Sequence, residues 1–301
     1  MRLGTRASAL ARWQADWVAT RLMGLGVDVE LVPITTVGDT QQGPLGTIGG
    51  QGLFTKEIQR ALLDDRIDLA VHSLKDLPTE EVAGLSLAAV PQRAPVADAL
   101  ICPRHASLEE LPPGAVVGTG SLRRRAQLLH VRGDLRIEDI RGNVETRLDK
   151  VRSGDFDATI LAEAGLRRLG LEDRIAVLLP LSVMMPAIGQ GALGLETRSD
   201  DRGIRQRVGK LNDPATHQAV LAERAMLAAL QGGCLAPIAA WGRLETGRLV
   251  LTGRVVGTDG QRRIEATQTA SANEAAELGR QVADELLSQG AGDLIQASRQ
   301  Q

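Results

Sequence analysis

A dense polar cluster follows the apolar segment 67–71 and is the first place where this chain could do chemistry. The sequence reads IDLAVHSLKDLP over residues 67–78. Its apolar part predicts a buried strand, and ligands of open α/β sheets bind at the carboxyl ends of such strands. Asp76, beside Lys75, could there stabilise a cationic intermediate or transfer protons. A turn in which Asp76 caps backbone amides would explain the same pattern, so both interpretations stay open.

Arginines mark two predicted strand-to-helix junctions. In GTGSLRRR (118–125), Ser121 is a typical helix N-cap. Arg123 and Arg124 would lie in the first helical turn, where the helix dipole disfavours cations unless an anion binds nearby. Arg141 repeats this placement at the next junction. These guanidinium groups could bind one carboxylated ligand, or they could form a solvated basic helix face.

The two cysteines lie in contrasting surroundings. Cys234 follows two glycines, which let the backbone approach a ligand closely, so its thiol could be a nucleophile or an attachment point. An inert, half-buried thiol is the alternative. Cys102 ends the apolar run ALIC and is predicted to be inert. His72, at a strand end, is predicted to be packed, and no histidine has metal-ligand spacing with either cysteine, so no metal site is expected.

Alternating strand and helix patterns surround these residues and predict an α/β fold. The first block has helices near 8–23 and 54–64 and strands near 27–34, 67–71 and 85–90. The second block has strands near 97–102, 115–118, 135–139, 158–162 and 175–179, with helices near 122–131, 143–152 and 164–169. The glycine-rich stretch 43–52 is predicted to be a mobile loop able to cover a cleft.

The blocks predict two lobes and a third domain. Prolines flank the first crossing, and a strand near 192–197 with a helix near 200–211 rejoins the first block. After residue 213 the pattern changes to a helix near 214–230, strands near 236–241, 248–256 and 261–269, and a helix near 273–288. The predicted boundaries are lobe 1 at 1–91 with 192–211, lobe 2 at 97–185, hinge segments at 92–96 and 186–191, and a C-terminal α+β domain at 214–301.

Composition limits the class of protein. The 301 residues are 43% hydrophobic, enough for two or three cores, and no apolar run is long enough to span a membrane. The amino terminus has no secretory apolar core and there are only two cysteines, so a cytoplasmic location is expected. The net charge of −2 and the near absence of aromatic residues argue against a nucleic-acid or membrane-surface partner.

Seven segments together resemble the porphobilinogen deaminase family in order and spacing. They are GTRAS (4–8), GLF (52–54), HSLKDLP (72–78), GTGSLRR (118–124), RGN (141–143), PAIGQGA (186–192) and GGC (232–234). The resemblance covers essentially the whole chain and thins after about residue 243. It implies two lobes like those of periplasmic binding proteins around a cleft, with a third domain that holds the cofactor cysteine.

The resemblance also implies an activity and a cofactor. Members condense four porphobilinogen molecules head-to-tail with loss of ammonia, and then release the linear tetrapyrrole hydroxymethylbilane by hydrolysis. Cys234 would hold a dipyrromethane cofactor through a thioether, and Asp76 would be the catalytic aspartate. The cofactor-binding residues would be Lys75, Ser121, Arg123, Arg124 and Arg141. The substrate-binding residues would be Arg6, Ser8, Thr119, Arg147, Arg168 and Gln190. Family precedent implies a monomer.

Two positions depart from the family pattern. Gln51 replaces a lysine that many members have in the glycine-rich loop, and Gly120 replaces a common serine before Ser121. Each change removes a cationic or polar contact, which bears on binding strength more than on reaction type. The rival functions are a non-catalytic anion-binding protein on the same two-lobed architecture and a regulatory effector domain. An anion-binding protein of this class would need an export signal, and an effector domain would need a helix-turn-helix segment, neither of which the sequence predicts.

Overall fold

A computed structural model describes residues 1–35, 55–232 and 236–300. The chain divides into two compact units, Met1–Ala94 with Gly191–Gln218 and Pro95–Gln190 with Ala219–Gln301. The first unit contains lobe 1, and the second contains lobe 2 and the C-terminal domain. Among the helices of the described ranges, none has both the length and the apolar character needed to cross a membrane.

The described strands and helices alternate through most of the chain. The strands are β1 (Arg2–Thr5), β2 (Glu30–Pro33), β3 (Leu69–Ser73), β4 (Leu85–Ala89), β5 (Asp98–Ile101), β6 (Val116–Gly118), β7 (Arg136–Glu138), β8 (Ala158–Ala162), β9 (Val177–Leu178), β10 (Leu193–Arg198), β11 (Ile238–Glu245), β12 (Arg248–Val256) and β13 (Arg263–Ala270). The helices are α1 (Ala9–Met23), α2 (Lys56–Leu63), α3 (Leu122–Val131), α4 (Val144–Ser153), α5 (Glu163–Arg168), α6 (Arg202–Gly209), α7 (Pro214–Ala229), α8 (Ala275–Ser288) and α9 (Ala291–Ser298).

Lobe 1 is built on a five-stranded sheet with the order β2-β1-β3-β10-β4. Strand β1 runs parallel to β2 and β3, whereas β10 runs antiparallel to both β3 and β4. Helix α1 packs its apolar face on this sheet, with Leu22 against Leu3, Leu69 and Leu195 in one buried cluster. The parallel pairing places the carboxyl ends of β1 and β3 at one edge of the sheet.

Lobe 2 contains a second five-stranded sheet with the order β7-β6-β8-β5-β9. Strand β6 is parallel to β7 and β8, and β5 is antiparallel to β8 and β9. Leu100, Val117, Leu128 and Ile160 form the centre of its main core. The carboxyl ends of β6, β7 and β8 therefore share an edge with the first residue of β5.

The C-terminal domain is an antiparallel sheet, β11-β12-β13, covered by helices. Helix α8 presents Leu278, Val282 and Leu286 to the sheet, and all three are fully buried. Gly279 lets α8 approach α7 closely, because a Cβ at this position would collide with the carbonyl oxygen of Ala222. The burial of one face of α8 agrees with the amphipathic pattern of the sequence.

The predicted fold class is confirmed: two α/β lobes and a C-terminal α+β domain. The predicted helix 122–131 and strand 248–256 coincide with α3 and β12. Helix α9 was not predicted; it begins after Gly290, which adopts the left-handed conformation. The unit boundaries at residues 94 and 190 lie in the predicted hinge segments, while the division into three domains stays a prediction. The predicted loop 43–52, which includes Gln51, lies outside the described residues.

Candidate active site

The site residues of lobe 1 collect at the carboxyl edge of its sheet. Arg6 and Ser8 follow β1, and Lys75 and Asp76 lie in a 3₁₀ turn, Leu74–Asp76, that follows β3. Because β1 and β3 are parallel, with Leu3 and Gly4 paired with Leu69 and Ala70, both strands end at the same edge of the sheet, and β3 extends two residues further. The structure therefore brings these four predicted residues to one edge. Ser8 also caps α1, since its Oγ accepts a bond of 3.4 Å from the amide of Ala11.

Two buried leucines fix the turn that presents Asp76. Leu74 and Leu77 are 1% and 7% exposed, so they hold the turn against the core. Lys75 is exposed and Asp76 is half-buried. Within the described residues, no hydrogen bond or ion pair engages the Asp76 carboxylate. Among the described residues, the alternative in which Asp76 caps backbone amides therefore has no support.

His72 is packed inside lobe 1, as predicted. It is 4% exposed, and its Nε2 lies 3.0 Å from Oε2 of Glu196 on β10. The second oxygen of Glu196 accepts a bond of 3.0 Å from Gln59. Ser73, the next residue of β3, bonds Gln14 of α1 at 2.8 Å. These buried polar contacts fix the end of β3, from which the Asp76 turn starts.

In lobe 2, Thr119 and Ser121 shape the junction between β6 and α3. The amide of Thr119 bonds the carbonyl of Glu138, and its Oγ1 accepts a bond of 3.2 Å from the amide of Ser121. The Oγ of Ser121 then accepts a bond of 3.4 Å from the amide of Arg124, which confirms Ser121 as the N-cap of α3. Both hydroxyl groups thus fix the loop that precedes the two arginines.

Arg123 and Arg124 are buried side by side and share one carboxylate. They are 5% and 6% exposed, so a solvated basic helix face is wrong for this pair. Arg123 Nη2 bonds Oδ2 of Asp98 at 2.8 Å, and Arg124 Nη2 bonds Oδ1 at 2.7 Å. Asp98 is the first residue of β5 and is 0% exposed. The helix dipole disfavours cations in this turn, and the buried carboxylate of Asp98 partly compensates this unfavourable energy.

The electrostatics of this group leave one positive charge in excess. Burial raises the pKa of Asp98, but the charges of Arg123 and Arg124 outweigh it and hold that pKa well below its usual range. Burial lowers the pKa of Arg123, and Asp98 opposes the effect. Among the described residues, the Nε atoms of both arginines have no acceptor. Two buried cations with one buried anion and spare donors form a site suited to a further anion.

The remaining arginines of lobe 2 lie at the same edge of its sheet. Arg141 follows β7 and contacts Asp139 at 3.3 Å, and Arg147, in the first turn of α4, donates to the carbonyl of Gly142 at 2.9 Å. Arg168 ends α5, which follows β8, and burial lowers its pKa to about 10. The structure thus collects the predicted lobe 2 arginines at the carboxyl ends of three parallel strands.

Gln190 and the segment before it are fixed within the second unit. Gln190 is 1% exposed and donates to the carbonyl of Val96 at 2.7 Å and to Oδ1 of Asp98 at 3.1 Å. The carboxylate of Glu223 on α7 accepts bonds of 2.7 Å from the amides of Gly189 and Gly242. This predicted hinge segment is therefore bonded both to lobe 2 and to the C-terminal domain.

Asp98 and Glu223 were missed by the sequence analysis. A signal existed for both of them, since an acidic residue inside an apolar run must be paired when buried. Asp98 lies in VADALIC, and Glu223 lies in AVLAERAMLAAL. Cys102 is buried with a free thiol, as predicted. Cys234 lies outside the described residues, so its assignment stays a prediction.

The solved structures to which this chain is similar share little of its sequence. One is a periplasmic substrate-binding protein of an ABC transporter from Coxiella burnetii, at 16% identity and a TM-score of 0.44, covering 74% of this chain and 94% of that one.

Two family models together match nearly the whole chain. The model described as porphobilinogen deaminase, dipyromethane cofactor binding domain, matches residues 1–206, and the porphobilinogen deaminase C-terminal domain matches 217–288. The porphobilinogen deaminase of Geotalea uraniireducens is 46% identical, covering 98% of this chain and 93% of that protein. The one from Syntrophotalea carbinolica is 49% identical, covering 99% and 95%. The chain therefore belongs to the porphobilinogen deaminase family.

Proposed function

We propose that this protein condenses four porphobilinogen molecules head-to-tail with loss of ammonia and releases hydroxymethylbilane by hydrolysis, as a step in tetrapyrrole biosynthesis. The observation that supports it best is the buried group of Arg123, Arg124 and Asp98, with its excess positive charge and unpaired Nε atoms. Each pyrrole unit has an acetate and a propionate group, so the growing chain is a polycarboxylate. Charge-assisted bonds to guanidinium groups are strong enough to hold it.

We propose that a dipyrromethane cofactor is attached to Cys234 through a thioether, and the buried arginine pair with its excess positive charge fits the carboxylates of this group. When bound, this group supplies a primer with a free pyrrole carbon. Its carboxylates would be held by the residues predicted from the family pattern: Lys75, Ser121, Arg123, Arg124 and Arg141. Burial of the arginine pair excludes water and so strengthens each contact with a carboxylate.

Asp76 is the proposed catalytic residue. When ammonia leaves the aminomethyl group of porphobilinogen, positive charge develops on the pyrrole. A carboxylate that forms no bond with the described part of the chain can stabilise this charge and can accept the proton that is later lost. The leucines on either side hold the turn rigid, so the carboxylate needs little reorganisation during the reaction.

The proposed substrate-binding residues divide into two kinds. Arg6, Arg147 and Arg168 offer guanidinium groups, and Ser8 offers a hydroxyl group beside Arg6 in sequence. Thr119 and Gln190 are buried and bonded to their own chain. We therefore propose that Thr119 fixes the conformation of the loop before α3 and that Gln190 fixes the position of the Asp98 carboxylate. Burial lowers the pKa of Arg168 to about 10, and we propose that this guanidinium group binds a substrate carboxylate.

Composition supports the proposed setting of the reaction. Two cysteines, one of them buried, agree with a reducing compartment, and we propose a cytoplasmic monomer. The net charge of −2 gives no general attraction for nucleic acid or anionic membranes, and we propose neither as a partner.

Intact mass of the freshly purified protein, with peptide mapping, tests the proposed function. We expect an adduct of two linked pyrrole units on Cys234. Cys234→Ser should abolish the adduct and all turnover, whereas the matched Cys102→Ala variant should keep both, since that thiol is buried in the core. An unmodified Cys234 after incubation with porphobilinogen would contradict the proposal and leave either an inactive homologue or a non-catalytic anion-binding protein.

A further inference from the structure

Asp98 is a buried acid to which the proposed reaction assigns no part. It is 0% exposed and accepts three hydrogen bonds, from Arg123 at 2.8 Å, Arg124 at 2.7 Å and Gln190 at 3.1 Å. It pairs across the sheet with Ala162, the last residue of β8. Its carboxylate therefore lies at the same sheet edge as the predicted site residues of lobe 2.

The two arginines depend on Asp98 to different extents. Arg123 is also bonded to the carbonyl of Met185 through Nη1, and Gln127 donates to that same carbonyl at 3.1 Å. For the guanidinium of Arg124, Asp98 is the one hydrogen-bond partner within the described residues. Loss of Asp98 should therefore release Arg124 more than Arg123.

The spare donors show that Asp98 does not saturate the pair. A guanidinium group has five N–H donors, and Asp98 takes one bond from each arginine. Both Nε atoms are buried without an acceptor among the described residues. An ion pair that served stability alone would satisfy more of these donors, because each unsatisfied buried donor costs free energy.

We propose that Asp98 is a positioning residue, which fixes the guanidinium groups of Arg123 and Arg124 and reduces their combined charge to one, so that they accept a single ligand carboxylate. The inference rests on the proposed function, because it takes that carboxylate to belong to the cofactor. At metal sites, removal of the outer-shell partner that orients a binding side chain typically costs roughly 10- to 100-fold in affinity or activity, and we expect the same scale for Asp98.

Asp68 provides a matched control in lobe 1. Its carboxylate also pairs with two arginines, Arg2 at 2.6 Å and Arg198 at 3.3 Å, but none of these three residues is a predicted site residue. Asp68→Asn should lower stability and leave cofactor loading unchanged. A purely structural role for Asp98 would make Asp98→Asn behave in the same way.

The test follows loading of the full-length chain, produced without a source of porphobilinogen and then incubated with porphobilinogen. Intact mass of the monodisperse, folded fraction gives the rate of adduct formation per folded chain. We expect Asp98→Asn to load roughly 10- to 100-fold more slowly than the wild type, and Asp68→Asn to load at the wild-type rate within about twofold. Asp98→Glu keeps the charge but displaces the carboxylate, so we expect a smaller loss of roughly three- to tenfold.

A double-mutant cycle shows whether Asp98 acts through Arg124. In the Arg124→Met background, Asp98→Asn should slow loading much less than it does in the wild type, because Asp98 then positions only Arg123, which the carbonyl of Met185 also holds. Wild-type loading by Asp98→Asn, or by Asp98→Glu if the asparagine variant does not fold, would overturn the inference while Arg124→Met still supported the proposed function. Failure of the wild type to load would instead overturn the proposed function, and the inference with it.

Discussion

Lobe 1 and lobe 2 contain sheets with the same arrangement of strand directions, and these sheets present different charges at the edge where we propose that ligands bind. Each sheet has three parallel strands, then an antiparallel strand, then a fifth strand. In lobe 1 the turn after β3 presents the carboxylate of Asp76, which no described residue engages. In lobe 2 the loop after β6 leads to two buried arginines that share Asp98. The arrangement of the strands determines where the side chains come together, and the sequences of the loops determine which chemical groups are present there.

The antiparallel strand of each sheet shows a second contrast. In lobe 1, β10 contributes Glu196. Each oxygen of its carboxylate has a hydrogen-bond partner within the lobe, Gln59 for one and His72 for the other. In lobe 2, β5 contributes Asp98, which leaves its arginine partners with spare donors. Both acids are buried, but the lobe 2 group retains a positive charge that a ligand can neutralise. We therefore expect substitution of Asp76 in lobe 1 to affect chemistry, and substitution of Arg123, Arg124 or Asp98 in lobe 2 to affect ligand holding.

The largest effect should follow removal of the lobe 1 carboxylate. Asp76→Asn should keep the fold and the loaded cofactor but reduce turnover by roughly 10²- to 10⁴-fold, because the amide can neither stabilise the cation nor accept a proton. Steady-state release of hydroxymethylbilane measures this. Glu80→Gln is the matched control, since it removes an exposed carboxylate four residues away and should leave turnover unchanged. Near-normal turnover of Asp76→Asn would contradict the assignment of the chemistry to the Asp76 carboxylate of lobe 1.

Removal of one lobe 2 arginine should affect loading first. Arg124→Leu should reduce the fraction of folded chains that hold the cofactor, by roughly 10-fold or more, since it deletes a buried charge-assisted donor. Arg125→Leu changes the adjacent, exposed arginine and should load normally. Intact mass and circular dichroism separate loading from folding. Unchanged cofactor content and kinetics in Arg124→Leu would be incompatible with an anion-holding role.

Asp68 should make stability depend on acid pH without affecting activity. Burial opposes its ionisation, but hydrogen bonds from Arg2 and Arg198 outweigh this and lower its pKa to about 2, from an ordinary value of 3.8. The stabilisation is therefore complete above about pH 4 and disappears as pH falls through 2. It amounts to at most about 2 kcal/mol, less after solvent screening.

Urea unfolding at several pH values tests the Asp68 prediction. Asp68→Asn should be less stable than the wild type at pH 6, and the difference should shrink between pH 4 and pH 2. A difference that stayed constant over this range would show that the lowered pKa of Asp68 does not contribute to stability.

The smallest effect should come from restoring the hydroxyl group that Gly120 lacks. A Cβ there would lie 3.6 Å from the carbonyl oxygen of Ile140 and 4.0 Å from Cζ of Arg141, so Gly120→Ser fits without strain. We expect it to lower the KM for porphobilinogen by roughly two- to fivefold through one added hydrogen bond.

Gly142→Ala is the contrasting variant for this position. Gly142 has φ +113°, and a Cβ would lie 2.6 Å from Thr146, so this change should destabilise lobe 2. If Gly120→Ser raised the KM, or destabilised the chain as much as Gly142→Ala does, the prediction that a serine side chain fits at residue 120 and bonds the substrate would be wrong.

Much of the fold could be predicted because its elements are locally encoded. Helix α3 begins at a serine N-cap, and β12 is a long apolar segment that includes Val250, Val255 and Val256. Both patterns predicted the bounds of these elements correctly. Strand β3 extends two residues beyond its predicted end, because pairing with β10 includes His72 and Ser73 in the sheet. The short helix α9 depends on packing against the C-terminal domain, with Ala291 and Ile295 in the core, and has weak local signals.

The candidate site was predicted less completely than the fold. Residue types at strand ends led to Asp76 and to the arginines of lobe 2. The partner of those arginines could not be found this way, since Asp98 is 25 and 26 residues distant in sequence from Arg123 and Arg124 and becomes their neighbour only through the sheet order. An acid within an apolar strand indicates that some partner exists, but not which one.

The most direct test of the division between the lobes is a time course of intact mass after porphobilinogen is added to loaded enzyme. The wild type should advance through four equal mass increments, and Glu80→Gln should do the same. Loaded Asp76→Asn should stay at its starting mass, because holding by lobe 2 is intact while the chemistry of lobe 1 is lost. If loaded Asp76→Asn instead gained mass at the wild-type rate, the assignment of chemistry to the Asp76 edge of lobe 1 would be wrong.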